Sequence, residues 1–302
     1  MKRIILDTDI GPDCDDCGAL AVLMRYRALG LIDLLGVTHC TSDVLGAYTV
    51  CAINEYFGAD VPVGQTERED FLVSPDTMKF TRPIGEDYIK THGERVFETS
   101  VHLLRRLLAE NSGVTLLFIG PLNDFAELLR SEGDGVSPLP GIGLVRKAVS
   151  EVVVMGGNFA SPSTPEFNIY CDAGAAAYCA ENCPVKITYC GFEAGEDVVT
   201  GAVLAKDGGD DSYPIRRAYR LYCGEKCLRP SWDLVTALYA AAGCGGDEAA
   251  WSGFTYTPHR GVIFTSDGKT VADGGNVCAE CGHITPKDKR RLAEYLDSLI
   301  AE

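Results

Sequence analysis

Short apolar runs alternate with helical patterns along the first 190 residues of the chain. The predicted strands are Arg3–Asp7, Leu34–Cys40, Val61–Val63, Val114–Ile119, Glu151–Met155 and Val185–Cys190. The predicted helices are Cys17–Leu29, Ala47–Phe57, Phe97–Asn111, Asn123–Arg130 and Asp172–Glu181. This alternation is typical of βαβ units. The sequence therefore predicts an α/β fold: a Rossmann-like core with a mostly parallel central sheet and helices on both faces.

The pattern changes in the last third of the chain. It becomes mainly helical after Gly191, and we expect this part to form a cap on the same domain, so that residues 1–302 are a single domain. Phe254–Phe264, with a turn at Asp267-Gly268, predicts a terminal hairpin before a final helix near Pro286–Ala301.

Two segments fit neither pattern. Gln65–Tyr88 and Ser131–Arg146 are polar and are interrupted by proline and glycine, which makes them candidate lids or surface loops.

The net charge and the composition limit the classes of molecule that the protein is expected to bind. A net charge of −16 argues against nucleic acid and against an anionic membrane surface, because both would be repelled. No apolar stretch approaches the length of a membrane span, and the apolar run after Arg3 is too short for a signal peptide. The 13 cysteines are scattered through apolar segments and are interpreted as reduced core residues. A cytoplasmic location is expected.

The highest density of acidic side chains is found at the end of the first predicted strand. Five aspartates lie within ten residues there: Asp7, Asp9, Asp13, Asp15 and Asp16. Two carboxylates about 4 Å apart repel each other by roughly 4 kcal/mol at an effective dielectric constant near 20. A folded site that gathers them needs a cation, and ligands that are all oxygen favour calcium or magnesium. Helix capping would account for only one of the five.

Two cysteine pairs admit a soft-metal or redox interpretation. Oxygen donors outnumber the thiols around Cys14-x-x-Cys17, and Cys17 falls inside a helical pattern. Cys278-x-x-Cys281-Gly282-His283 lacks a second ligand pair, so it is interpreted as structural or incidental.

Several motifs together resemble one family. Asp7-Thr8-Asp9-x-Gly11, continued by Asp15-Asp16, is similar to the opening of the calcium-dependent nucleoside hydrolases. The further matching segments, in the same order along the chain, are Leu35-Gly36-Val37-Thr38, Ile119-Gly120-Pro121-Leu122-Asn123, Val152–Gly157, Glu166-Phe167-Asn168-Ile169-Tyr170-x-Asp172 and Trp232-Asp233.

The resemblance implies hydrolysis of the N-glycosidic bond of a ribonucleoside to free base and ribose. In this numbering Ca²⁺ would be held by Asp9, Asp16, the Ile119 carbonyl and Asp233. The ion would also bind the ribose hydroxyls and a water molecule that Asp9 deprotonates. Asp15 would hold the 2′ hydroxyl. The resemblance also suggests a homodimer or homotetramer.

The remaining implied contacts concern the sugar and the base. Glu166, Asn168 and Asp233 would bind the ribose, and Met155 would pack against its ring. Trp232 stands where some members have a histidine as leaving-group acid. It resembles members that stack a purine on indole, so a purine preference is predicted.

The resemblance leaves the roles of two positions unassigned, and the predicted lid adds one further candidate for contact with the substrate. Asp43 stands where many members have asparagine, so it would contact ribose or add a metal ligand. The first loop is about two residues longer, so Asp13 competes with Asp15. The helical residues that follow Asp16 favour Asp15. His92, in the predicted lid, is a candidate for reaching the ribose or base.

Two other functions are compatible with parts of this pattern. A metal-dependent nucleoside-binding protein without turnover would share the same site. A haloacid-dehalogenase-like phosphatase would also open with Asp-x-Asp, but Gly11 argues against it, because that family has threonine or valine there.

Overall fold

The computed structural model describes residues 1–205, 211–245, 251–274 and 280–301. Its strands are β1 Lys2–Thr8, β2 Ile32–His39, β3 Val63–Gln65, β4 Glu98–Thr99, β5 Val114–Phe118, β6 Val149–Met155, β7 Ile187–Cys190, β8 Val199–Thr200, β9 Arg229–Pro230, β10 Phe254–His259, β11 Val262–Phe264, β12 Thr270–Ala272 and β13 Cys281–Pro286.

The α-helices are α1 Asp15–Ala28, α2 Val44–Tyr56, α3 Thr81–His92, α4 Ser100–Glu110, α5 Asn123–Arg130, α6 Gly141–Ala148, α7 Phe167–Cys171, α8 Ala173–Asn182, α9 Phe192–Gly195, α10 Pro214–Cys223, α11 Trp232–Ala242 and α12 Lys289–Ile300. A short 3₁₀ helix covers Ala202–Leu204.

Within the described ranges, nine strands form one sheet in the order β10-β13-β7-β6-β5-β1-β2-β3-β4. Every neighbouring pair is parallel except β10 and β13. The predicted mostly parallel α/β sheet is confirmed.

Both faces of the sheet are covered by helices. Along β1, Ile4 and Leu6 belong to one buried apolar cluster, which includes residues of α1, α11 and α12. Ile5 points to the opposite face and belongs to a second cluster, which includes residues of α4, α5 and α8. Because successive side chains of a strand alternate between faces, a continuous apolar run is what a doubly covered strand requires.

The strand order creates a switch point beside β1. The chain runs from β1 through β2 and β3 to β4 on one side, and then from β5 through β6 to β7 on the other. In open α/β sheets a ligand binds outside the carboxyl ends of the strands at such a point. Asp9 directly follows β1 and Ile119 directly follows β5, so both lie at that position.

The C-terminal prediction was partly wrong. The predicted hairpin forms at the Asp267-Gly268 turn, where β11 (Val262–Phe264) pairs with β12. The first part of the predicted arm, Phe254–His259, does not belong to it, because this strand, β10, pairs with β13 and extends the central sheet. Local turn signals could not show that a strand more than 20 residues further along, β13, would pair with β10. The predicted final helix, Pro286–Ala301, agrees with α12 to within three residues at each end.

The two unassigned segments are not entirely loops. α3 begins at Thr81, inside the first segment, and α6 begins at Gly141, inside the second. Pro140 directly precedes α6 and Pro83 is the third residue of α3, which is why the helical pattern was obscured.

Two further sequence predictions concern the whole chain. None of the helices in the described ranges has both the length and the apolar character needed to cross a bilayer. Every cysteine among the described residues is a free thiol, and most are buried. Cys278 of the second cysteine motif lies outside the described residues, so that motif is not tested.

Candidate active site

A cavity of about 300 Å³ lies at the carboxyl edge of the sheet, where the switch point is found. It is lined by nine of the residues that the sequence predicted: Asp9, Asp15, Asp16, Ile119, Met155, Glu166, Asn168, Trp232 and Asp233. The cavity therefore combines residues that follow β1, β5 and β6 with the first residues of α1 and α11.

The first loop turns sharply to place its carboxylates. Gly11 has φ of +152°, and a Cβ there would lie 2.9 Å from the Thr77 carbonyl oxygen, so only glycine fits. The Thr8 hydroxyl, at the end of β1, donates a hydrogen bond to Asp16 Oδ1. This bond ties the strand end to the start of α1 and fixes the direction of the Asp16 side chain.

Carboxylates from two helix starts converge in the cavity. Carboxylate oxygens of Asp15, Asp16 and Asp233 all lie within 4.8 Å of one another, and all three residues are buried. The backbone N–H of Asp233 donates to Asp15 Oδ2 at 3.1 Å, which holds the start of α11 against the start of α1. Asp9 lines the same cavity and is 4% exposed.

This arrangement differs in one respect from the prediction. Asp9, Asp16 and Asp233 were expected as the metal-binding carboxylates, with Asp15 on the ribose. The tight cluster among the described residues contains Asp15 in place of Asp9. Asp13, the competitor of Asp15, instead accepts hydrogen bonds from Arg229.

Burial and mutual repulsion make this cluster hold protons in the absence of a cation. Burial raises the pKa of Asp9 to about 8, and the charges of Asp15 and Asp13 act in the same direction. Burial, followed by neighbouring carboxylates, raises the pKa values of Asp15, Asp16 and Asp233 well above the usual range. Four ionised carboxylates are therefore stable here only with a compensating positive charge.

The residues fit a hard divalent ion. Asp15 Oδ1 is buried and has no hydrogen-bond partner among the described residues. None of the described lysine, arginine or histidine side chains forms an ion pair with Asp9, Asp15, Asp16 or Asp233. Oxygen atoms up to 4.8 Å apart can share one ion at the 2.3–2.6 Å distances of calcium ligands.

A second group of polar atoms surrounds the Ile119 carbonyl. Asn168 Nδ2 donates to this carbonyl at 3.0 Å and lies 3.2 Å from Met155 Sδ. Glu166 caps α7 by accepting from the backbone N–H groups of Asn168 and Ile169. Burial raises the pKa of Glu166 to about 7, although these N–H groups act in the opposite direction. The Glu-x-Asn pair thus reaches one cavity, as predicted.

One part of the cavity lining, here called the aromatic wall, consists of Trp232, Phe192 and Tyr222. Trp232 begins α11, is partly buried and donates its indole N–H to the Phe192 carbonyl at 2.9 Å. The Phe192 and Trp232 ring centroids are 5.4 Å apart. Tyr222 belongs to this wall because the Arg229 guanidinium lies 5.3 Å from both its ring and the Trp232 ring, and Phe167 also lines the cavity. A cavity that combines clustered carboxylates with aromatic rings suits a sugar joined to a planar base.

The structure places two predicted site residues outside the cavity. Asp43 caps α2, where its Oδ1 accepts from the Leu45 N–H at 3.0 Å and its Oδ2 from the Thr81 hydroxyl at 2.6 Å. It therefore joins the start of α2 to the start of α3, and its oxygens already have partners.

His92 also lies elsewhere. It is the last residue of α3 and is exposed, its ring stacks on Tyr88 at 4.2 Å, and its Nε2 is 3.3 Å from Glu55. It lines a separate surface cavity. The part of the predicted lid that leads to His92 is helix α3, which packs on α2 and holds His92 outside the cavity.

Sequence reasoning missed the other cavity residues: Pro12, Phe167, Phe192, Tyr222 and Arg229. Phe167 lies inside the Glu-x-Asn motif and could have been found there. Arg229 stands four residues before Asp233, but nothing in the local sequence indicates that it would meet Asp13.

Comparison with known proteins agrees with this geometry. The model of the inosine-uridine preferring nucleoside hydrolase family matches residues 4–255. The chain belongs to this family.

Curated relatives in the family include the pyrimidine-specific ribonucleoside hydrolase RihB of Escherichia coli O157:H7 (strain EC4115), which is 27% identical over 192 residues. The match covers 58% of this chain and 55% of that relative. The same enzyme of Escherichia coli strain K12 / DH10B is 26% identical over the same length. The chain thus matches little more than half the length of these relatives.

Solved structures of nucleoside hydrolases share the fold. The inosine-uridine preferring nucleoside hydrolase of Bacillus anthracis superposes with a TM-score of 0.73 at 19% identity, covering 99% of both chains. The purine-preferring ribonucleoside hydrolase of Gardnerella vaginalis gives 0.69 at 16% identity, covering 99% of this chain and 98% of the other. At these identities the likeness establishes the fold.

Proposed function

We propose that this protein hydrolyses the N-glycosidic bond of ribonucleosides, releasing the free base and ribose. The observation that carries the proposal is the convergence of Asp9, Asp15, Asp16 and Asp233 in one cavity that aromatic side chains also line. Membership of the nucleoside hydrolase family supports it.

The cofactor in this proposal is Ca²⁺, held by Asp9, Asp16, the Ile119 carbonyl and Asp233, with Asp15 beside them. A bound calcium ion would neutralise the carboxylates and anchor the two ribose hydroxyls. Family membership and the cluster of buried carboxylates support a divalent ion, and the oxygen-only donor set supports calcium.

The protein's own side chains would then act on the sugar. Asp9 takes a proton from the water that attacks the anomeric carbon. Asp15, Glu166 and Asn168 orient the ribose by hydrogen bonds to its hydroxyls, and Met155 packs against the ring. Positive charge develops on the sugar as the glycosidic bond breaks, and the surrounding carboxylates stabilise it.

A reducing-sugar assay over a panel of ribonucleosides tests this proposal. We expect the wild type to release ribose. We expect Asp9→Ala to lower the rate at least about 1,000-fold, since the attacking water loses its base, and chelation to lower it as much, since the ribose loses its anchor. Asp76→Ala is the control, because Asp76 is an exposed aspartate that is not among the residues lining the cavity.

Two results would contradict the proposal. Absence of ribose release from every nucleoside, with binding retained, would favour a metal-dependent nucleoside-binding protein. Release that survives both chelation and Asp9→Ala would refute the mechanism.

A purine preference is the second part of the proposal, and it is supported by Trp232 on the aromatic wall. A stacked base contributes about 1–3 kcal/mol, so Trp232→Ala is expected to lower kcat/KM for inosine by about 5- to 140-fold, with a smaller loss for uridine. Unchanged turnover of inosine would remove the support for stacking.

A cytoplasmic location, a role in nucleoside salvage and assembly as a homodimer or homotetramer complete the proposal. The free thiols of the described cysteines are consistent with a reducing compartment. Size-exclusion chromatography with light scattering would determine the assembly.

A further inference from the structure

The first loop is joined to the cavity wall by an ion pair between Asp13 and Arg229, which are 216 residues apart in sequence. Arg229 Nε lies 2.9 Å and 3.0 Å from the two carboxylate oxygens of Asp13, and Arg229 Nη2 also donates to this carboxylate. Arg229 is on β9, four residues before Asp233. The pair therefore holds one side of the guanidinium in a fixed direction.

The other edge of the guanidinium is available. Nη1 makes no hydrogen bond with any of the described residues, and Nη2 has a second hydrogen that points along the same edge. The side chain lines the cavity and is 30% exposed. Arginine stays protonated at all ordinary pH values, so this edge is a permanent pair of donors.

Aromatic rings hold the guanidinium in place. Its central carbon lies 5.3 Å from the Tyr222 ring centroid and 5.3 Å from the Trp232 ring centroid. The indole N–H of Trp232 is already bonded to Phe192. Among the described residues that line the cavity, Arg229 is the one lysine, arginine or histidine, so it is the cationic donor of the aromatic wall.

We infer that Arg229 recognises the base and selects 6-oxopurine ribonucleosides such as inosine, an inference that rests on the proposed function. A 6-oxopurine presents O6 and N7 as adjacent acceptors, which match two parallel N–H groups of arginine. Adenine presents N7 beside an amino donor at the same edge, so one pair of groups is mismatched. The same contact stabilises the negative charge that the base gains as it leaves.

The test compares three substrates of the intact protein: inosine, adenosine and p-nitrophenyl β-D-ribofuranoside, whose leaving group departs readily without a donor. We expect Arg229→Met to lower kcat/KM for inosine about 100-fold and to change the other two by less than about threefold. Arg229→Lys keeps the charge but loses the paired donors, so the preference for inosine over adenosine should fall at least tenfold.

Arg217→Met is the matched control. Arg217 is also paired with an aspartate, Asp87, at similar exposure, and it lies outside the cavity. All three rates should stay within about twofold of the wild type.

Each contrary result has a separate meaning. An equal loss on all three substrates in both Arg229 variants would make Arg229 a structural residue, and an unchanged rate on inosine would show that it does not contact the base. A wild type that cleaves none of the three would instead refute the proposed function.

Discussion

At the scale of single residues, Gly120 shows how closely the two ligand-bearing strands approach each other. A Cβ at this position would lie 2.8 Å from Asp9 Oδ1 and 2.9 Å from Cys40 Sγ. Glycine is therefore required beside the Ile119 carbonyl so that Asp9 can lie against it.

Gly120→Ala is expected to displace Asp9 and to lower both kcat/KM and calcium affinity at least tenfold, because a methyl group would occupy the space of the carboxylate. Titration with Ca²⁺ followed by intrinsic fluorescence, together with the ribose assay, measures both effects. Gly135→Ala is the control, since a Cβ at Gly135 meets nothing within 4 Å. Equal behaviour of the two variants would contradict this account.

The site residues that sequence could predict are those carried by contiguous motifs. Asp9 and Asp16, which line the cavity, could be singled out because a strand end and a helix start are both visible in one short segment. Arg229 was not found, because its role depends on a contact with Asp13 that only the folded chain creates. Asp43 and His92 were misplaced for the same reason: their partners, Thr81 and Glu55, are set by helix packing.

At the scale of elements, the buried strands and helix α5 were the most predictable. The predicted bounds of α5 are the same as those in the structure, because Pro121 precedes the helix and a polar segment follows it. The pairing of β13 with β7 and β10 was not predictable, since β7 and β13 are about 90 residues apart.

The starts of α1 and α11 face each other across the cluster of Asp15, Asp16 and Asp233, so a bound cation should join these two helices. We expect 1 mM Ca²⁺ to raise the midpoint of thermal unfolding by about 5 °C over the chelated protein. This value applies if 1 mM is about 100 times the Kd for Ca²⁺. A ligand at that concentration stabilises the native state by about 2.7 kcal/mol, and each kcal/mol raises the midpoint by about 2 °C in a chain of this size.

Differential scanning calorimetry measures this shift, and Asp16→Asn should reduce it to less than about 1 °C. The same shift in the wild type and in Asp16→Asn would mean that the ion binds elsewhere.

At the scale of the whole molecule, one continuous sheet connects the N-terminal strand β1 to the C-terminal strand β13. Two buried apolar clusters cover its faces, and residues of α12 belong to the first of them together with α1. This continuity supports the prediction of a single domain, and that prediction stays open to a test of cooperative unfolding. Composition and hydrophobic periodicity were enough to predict the layers of the fold, whereas strand order depends on contacts distant in sequence.

The position of β13 has a consequence for anyone who shortens this chain. The family match ends at residue 255, inside β10, yet β13 at Cys281–Pro286 is inserted between β10 and β7. In a fragment 1–255, β7 would become an edge strand with unpaired backbone amides and carbonyls. Other chains can pair with such an exposed edge and aggregate.

We therefore expect this truncated fragment to accumulate in inclusion bodies, whereas a fragment that ends at residue 301 stays in the supernatant. Fractionation of lysates by centrifugation compares the two. A soluble, monomeric 1–255 fragment would show that the inserted strand is dispensable.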